Sequence, residues 1–165
     1  MALPVGSPAP QFMLPLLAGG EFDLHSTLAQ GPVLLAFFKI SCPVCQFTFP
    51  FLDRIYRTYG DKRVTIVGVS QNESRETQDF LKECGITFPV LLDDPSDYEV
   101  SNAFGLTNVP TLFWIEPNGR IGVEAVGWDK GAMERLNELV ADFSKAPIAP
   151  LFRSDEKDIP AFRAG

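Results

Sequence analysis

Two cysteines three residues apart, Cys42 and Cys45, lie in the run Ser41-Cys42-Pro43-Val44-Cys45. The residues before them, Val33-Leu34-Leu35-Ala36-Phe37-Phe38, read as a buried strand, and those after them read as a helix. The pair therefore falls at a strand-to-helix junction. The first turn of a helix leaves backbone N–H groups without partners, and together with the macrodipole they stabilise negative charge. Cys42 is accordingly expected to ionise below the value of about 8.5 typical of a free cysteine. Pro43 suits the first helical position, where its missing N–H had no partner anyway. Cys45, one turn further on and on the same side, can close a disulfide with Cys42. This assigns Cys42 as the attacking thiol and Cys45 as the resolving one, joined through a mixed disulfide with a partner. A zinc site needs four ligands, and only Cys84 and the single His25 remain, far apart in sequence. No metal is expected, and an inert packed pair would avoid such a junction.

The elements that must position the pair follow from the apolar pattern. Val33–Phe38 is continuous, as in a central strand buried on both faces, and residues 64–69 make a second such strand. Between them Cys45, Phe49, Leu52 and Tyr56 recur at helical spacing, giving a helix over Pro43–Tyr59 that ends before Gly60. Strand, helix and strand with short joints form a right-handed βαβ unit. A second helix, Ser74–Cys84, is expected to be capped by Ser74 and to stop at Gly85. A short apolar piece at 89–92 and a weakly helical stretch at 98–104 come next. Pro117-Asn118-Gly119 then turns a hairpin between 111–115 and 121–127, and Asp129 caps a last helix with Met133, Leu136, Val140 and Phe143 on one face. The result is an α/β fold, a mixed sheet covered by helices on both faces.

The chain has 165 residues, of which 45% are hydrophobic, enough for one domain with a buried core. Its 14 Lys and Arg against 21 Asp and Glu leave a net charge of −7, with no basic run, so nucleic acid and anionic membranes are poor partners. Six residues is the longest strongly apolar run, against the roughly 18 that span a bilayer. The start lacks a secretory leader's basic and apolar regions, and Pro4, Pro8 and Pro10 would break its helix. The chain as written is expected to be cytoplasmic, or exported if a leader has been removed. Domain residues are expected over 1–145. From 146 to 165, Pro147, Pro150 and Pro160 punctuate an extended tail whose Leu151, Phe152, Ile159 and Phe162 allow it to lie across the domain or a partner.

The stretch from Phe37-Phe38 through Cys42-Pro43-Val44-Cys45 to Pro50 resembles the active-site segment of the thioredoxin-like superfamily. Gly6-Ser7-Pro8-Ala9-Pro10 with Phe12, Leu14 and Pro15, then Gly19-Gly20-Glu21-Phe22 and Leu24, is similar to the redoxin branch. That branch holds TlpA-type thiol-disulfide oxidoreductases and the alkyl hydroperoxide reductase/thiol-specific antioxidant proteins. The resemblance implies a three-layer thioredoxin-like fold with an N-terminal β extension, and an inserted strand and helix within 71–106 that includes Phe88-Pro89-Val90 and Asp93. It also implies that Val109-Pro110-Thr111 forms a cis-proline loop facing the cysteines. There the backbone can pair with a substrate peptide. No cofactor is implied; the expected partners are protein thiols and disulfides and an upstream dithiol reductant or oxidant, and the expected state is a monomer.

Departures from the family pattern bear on mechanism. Ser41 stands where thioredoxins carry Trp, Ala36 replaces their buried carboxylate, and Thr48 stands where TlpA-type proteins often place glutamate. Proton transfer at Cys45 then needs another group, with Lys39, Thr48 or water as candidates. Phe47 lies off the main apolar face of the helix, either at the edge of the core or as a partner contact. The rival activity is peroxide reduction. The peroxiredoxin pattern P-x-x-x-T/S-x-x-C would need Pro and Thr or Ser ahead of a cysteine. Here Leu35 and Lys39 precede Cys42, and Phe38 and Cys42 precede Cys45. Disulfide exchange is therefore preferred, with Cys84 either a further resolving thiol or a small core residue. A redox-inactive binding module is the remaining alternative, and it leaves two intact cysteines unexplained.

Overall fold

The computed structural model describes residues 1–60 and 63–165. Its elements run β1 (Met13–Pro15), β2 (Glu21–Asp23), α1 (Leu24–Leu28), β3 (Val33–Phe38), α2 (Pro43–Tyr59), β4 (Thr65–Ser70), α3 (Ser74–Cys84), β5 (Val90–Leu92), α4 (Glu99–Ala103), β6 (Thr111–Ile115), β7 (Ile121–Val126), β8 (Trp128–Asp129), α5 (Lys130–Phe143) and β9 (Phe162–Arg163). A five-stranded sheet has the order β5-β4-β3-β6-β7. β3, β4 and β5 are parallel, β6 runs antiparallel to β3, and β7, antiparallel to β6, runs in the β3 direction again. β1 and β2 form a separate antiparallel hairpin.

All six residues of β3 are buried, and their alternation divides the interior. Leu34, Ala36 and Phe38 meet Phe49 and Leu52 of α2, Phe80 of α3 and Leu136 and Val140 of α5. Val33, Leu35 and Phe37 face Leu24 and Leu28 of α1, Val100 of α4 and Leu14 and Phe22 of the hairpin. Helices thus cover both faces of a mixed sheet, a three-layer thioredoxin-like arrangement. Fully burying a large apolar side chain contributes about 1.5–3 kcal/mol. Phe49, Leu52 and Ile55, each at most 1% exposed, therefore hold α2 rigidly against β3. The junction between those two elements inherits that rigidity.

Several local expectations shift. β4 begins at Thr65 because its parallel register is set by β3, Val33 opposite Thr65 through Phe38 opposite Ser70. Glu73 rather than Ser74 is the N-cap of α3, without a side-chain cap bond; Ser74 already lies within the helix. β7 stops at Val126, because Gly127 takes a left-handed φ of 74° and turns the chain. α1 is a five-residue helix capped by the Asp23 carboxylate, and the sequence pattern did not separate it from β2. After Lys145 no helix forms. This segment lies along the domain: Leu151 is buried, Arg54 pairs with Glu156 at 2.7 Å, and β9 pairs antiparallel with β8. No helix among the described residues is long and apolar enough to cross a membrane.

Candidate active site

β3 ends at Phe38 and α2 begins at Pro43, so four residues carry the chain across the sheet edge. The Asn72 side chain accepts from the Ile40 N–H at 3.0 Å, and Gln46 Nε2 donates to the Ile40 carbonyl at 3.1 Å. Two side chains from different elements therefore grip the middle of this joint. Cys42 follows as the N-cap of α2 with extended backbone, and Pro43 occupies the first turn as its fixed φ favours. The Cys42 sulfur accepts from the Cys45 N–H at 3.1 Å, the place a serine or aspartate oxygen usually takes.

Both cysteines are unpaired in a disulfide, so the structure is the dithiol form. Cys42 is half-buried, whereas Cys45 is 0% exposed within the core cluster beneath α2. Burial pushes the Cys45 thiol well above an ordinary value, and its hydrogen bond to Cys42 adds to the shift. The opposite wall is the loop entering β6. The Val109-Pro110 peptide is cis, and the Cys42 thiol donates to the Val109 carbonyl at 3.4 Å. That loop is fixed from both sides: Thr111 Oγ1 donates to the Asn108 carbonyl at 2.7 Å, and the Gly127 N–H donates to the Pro110 carbonyl at 2.7 Å.

The other residues picked out from the sequence sit as follows. Val44 is buried under the first turn and helps anchor it. Lys39 meets Cys45 through its backbone, while its ammonium lies over the Tyr98 ring, 5.4 Å from the centroid. It lines a cavity of about 200 Å³ with Gln71, Tyr98, Asn102, Asn108 and Val109. Thr48 is fully buried and its hydroxyl donates to the Val44 carbonyl at 2.7 Å, which commits its proton to the helix backbone. Phe47 lies at the edge of the core, 4.9 Å from the Trp128 ring centroid. Cys84 closes α3 beside Arg54, Arg57 and Thr58, near the far end of α2. At 1.5 Å per residue, the twelve positions from Cys45 to Arg57 put it roughly 18 Å away along the helix. His25 lies in α1 on the other face of the sheet, apart from both.

Sequence reasoning missed the residues that finish this surface. Trp128 is fully buried, its ring packed on Phe47, Phe51 and Phe152, and its Nε1–H donates to the Pro160 carbonyl at 2.7 Å. The Arg163 guanidinium stands over the Phe47 ring at 5.0 Å, and Asn108 Nδ2 donates to the Gly165 carbonyl at 3.2 Å. The signal was the apolar content of the tail, but nothing in it specified a register.

The AhpC/TSA family profile matches residues 5–123. The chain is 34% identical over 121 residues to the thiol-disulfide oxidoreductase ResA of Geobacillus thermodenitrificans, covering 73% of this chain and 68% of that protein. It is 34% identical over 117 residues to ResA of Bacillus subtilis, covering 70% and 64%. Among solved structures, a thiol:disulfide interchange protein DsbE from Chlorobium tepidum superposes with a TM-score of 0.74 at 26% identity, over 87% of this chain and 99% of that one. A Bacteroides thetaiotaomicron structure, with a TM-score of 0.77 at 23% identity over 87% and 91%, shares the fold. With two free cysteines three residues apart at the strand-to-helix junction of that fold, the chain belongs to the AhpC/TSA family, among its thiol-disulfide oxidoreductases.

Proposed function

We propose that Cys42 is the attacking sulfur and Cys45 the resolving sulfur of a dithiol that exchanges with disulfides of partner proteins. The observation that carries this is their asymmetry: Cys42 is half-buried at the helix N-terminus, and Cys45 is wholly covered one turn below, with its N–H on the Cys42 sulfur. A partner disulfide can therefore reach one sulfur and not the other. The Cys42 thiolate attacks one sulfur of the partner; the partner's S–S bond breaks, and a Cys42–partner S–S bond forms. Cys45 then gives up its proton and attacks the Cys42 sulfur, expelling the partner's first sulfur and closing the Cys42–Cys45 disulfide. Two electrons pass to the partner. Its two sulfurs leave with the Cys45 proton and one from water.

Lys39 and Thr48 are weaker proton carriers than water in this reading, because their polar ends are directed to Tyr98 and to the Val44 carbonyl. The Val109 carbonyl holds the Cys42 thiol and lies where an incoming backbone would run alongside it. Protein thiols and disulfides are thus the partner class this reading favours.

The test is trapping. Cys45→Ser should accumulate a mixed disulfide with an oxidised protein substrate, visible as a mass adduct on Cys42 that dithiothreitol releases. Cys42→Ser should abolish exchange. Exchange that persists in Cys42→Ser, or a Cys45→Ser variant that never forms an adduct, would sink the assignment. Peroxide consumption faster than disulfide exchange would favour the rival activity.

A further inference from the structure

We infer that residues 160–165 form an intrasteric strap beside Cys42, holding back exchange with polypeptide disulfides while leaving small disulfides free to react. The inference rests on the exchange reading above and adds to it a regulator built from the chain's own tail.

The strap runs as an added strand. Arg163 pairs opposite Trp128 and Phe162 opposite Asp129, and the Lys130 N–H donates to the Ala161 carbonyl at 3.0 Å. It crosses Gly127 so closely that a β-carbon there would collide with the Arg163 carbonyl, and Gly127 also has a φ of 74°. Beyond this point Gly165 lies directly on the Val109 carbonyl, where a β-carbon on residue 165 would clash. That same carbonyl accepts from the Cys42 thiol. One peptide group therefore separates the strap from the reactive sulfur.

An incoming disulfide carried on a polypeptide must seat both its sulfur and the backbone on either side of it. Extended backbone is held most simply by strand addition to an open edge. Residues 127–130, tied to the cis-proline loop by the Gly127 N–H on the Pro110 carbonyl, lead to the Val109 carbonyl that Cys42 touches, and the strap already occupies this line of backbone. A small disulfide brings no such backbone and needs only the partly exposed Cys42.

The strap is built to open. Its ladder is two residues long, Phe162 remains 60% exposed, and the other fastenings are the Arg163 guanidinium over Phe47 and the Asn108 amide on Gly165. Each such contact is individually modest. The deeper attachment, from the Trp128 indole to the Pro160 carbonyl, lies upstream and can stay in place while the end lifts.

The test compares the full chain with a variant ending at Pro160, which keeps that upstream bond. Two probes share one leaving group: the thionitrobenzoate mixed disulfide of free cysteine, and that of a long unstructured cysteine peptide. The truncated protein should react with the peptide probe about fivefold faster, which corresponds to about 1 kcal/mol of strap opening, and with the cysteine probe at an unchanged rate. A synthetic peptide spanning 158–165, added in trans, should return the truncated protein to the slower rate. Arg163→Ala in the full chain should move part of the way in the same direction, without any truncation. An unchanged or slower reaction with the peptide probe, or an equal rise with both probes, overturns the strap. If neither probe reacts in any form, the exchange reading itself fails.

Discussion

Cys45 makes the stability of the reduced protein depend on pH in a way the disulfide form cannot share. Its thiol is 0% exposed, and burial first, then the hydrogen bond to Cys42, raises it well above the ordinary 9.0. In the unfolded chain the same thiol titrates near its ordinary value. A group whose folded pKa is raised contributes stability that is fully present below the unfolded pKa and is lost as pH rises above it. Between pH 8 and pH 10 the unfolded thiol gives up its proton while the folded one keeps it. Integrating the linkage relation over that window gives a loss of about 1.4 kcal/mol for one such group. Lysines and tyrosines titrate there too, but they are common to both redox forms. The difference between the two forms therefore isolates the cysteine pair. The assay is urea denaturation of the dithiol and disulfide forms at pH 8, 9 and 10, with the midpoint difference converted through a shared slope. The Cys42→Ser protein, in which Cys45 is the one thiol left of the pair, should lose about 1.4 kcal/mol relative to the Cys42→Ser/Cys45→Ser protein, and the dithiol form should lose stability relative to the disulfide form. Alkylation at neutral pH should correspondingly modify Cys42 and spare Cys45. Equal pH dependence of the two forms, or equal alkylation of both thiols, would refute the claim that Cys45 is a buried neutral thiol.

Two further perturbations probe the scaffold and the tail. Asp53 is 3% exposed; it accepts from the Thr87 N–H at 2.7 Å, the Phe88 N–H at 3.1 Å and the Thr87 hydroxyl at 2.9 Å, and it pairs with Arg57. Asp53→Ala strands two backbone donors and should cost about 3 kcal/mol or more in urea denaturation, while exchange by the folded protein changes less than about twofold, since Asp53 lies two turns beyond Cys45. Glu156 is held down to about 2 from an ordinary 4.5 by Arg54 and then by the Arg153 N–H. A depressed carboxylate stabilises above its unfolded pKa and loses that contribution as pH falls toward its folded one. The tail should stay attached at pH 4 and detach as pH approaches 2, and Glu156→Gln should loosen it at neutral pH; the near-ultraviolet signal of Trp128, on which Phe152 of the tail packs, would report both.

What was legible in the sequence is what local pattern fixes. Val33–Phe38 is apolar at every position because both faces of β3 are covered, and α2 carries its core residues at helical spacing, so the junction holding Cys42 and Cys45 could be located to the residue. The Val109-Pro110 loop was placed by resemblance, and it stands against Cys42. Part of what was not legible depends on contacts distant in sequence, and part on local structure too short to leave a pattern. Trp128 meets Pro160 and Arg163 across more than thirty residues, through a ladder too short to impose an alternating pattern on the tail. α1 spans one helical turn, too short for periodicity to show. The residue type of Thr48 allows proton transfer, but its hydroxyl bonds the Val44 carbonyl one turn back.

The two sulfurs belong to identical residue types, and the spacing that pairs them says nothing about which should attack. Their difference arises from one turn of helix. At the N-cap the backbone is still extended and the side chain stands at the rim, where the Cys45 N–H can reach its sulfur. Three residues later the chain is helical, and the same side chain points inward against the β3 face. On the exchange reading proposed above, exposure selects Cys42 for attack. Burial keeps Cys45 protonated until a partner is attached and its attack has a target. An exposed Cys45 would compete for partners and lose that order. On that reading, the packing of Phe49 and Leu52 that fixes α2 on the sheet also sets the order of the two chemical steps.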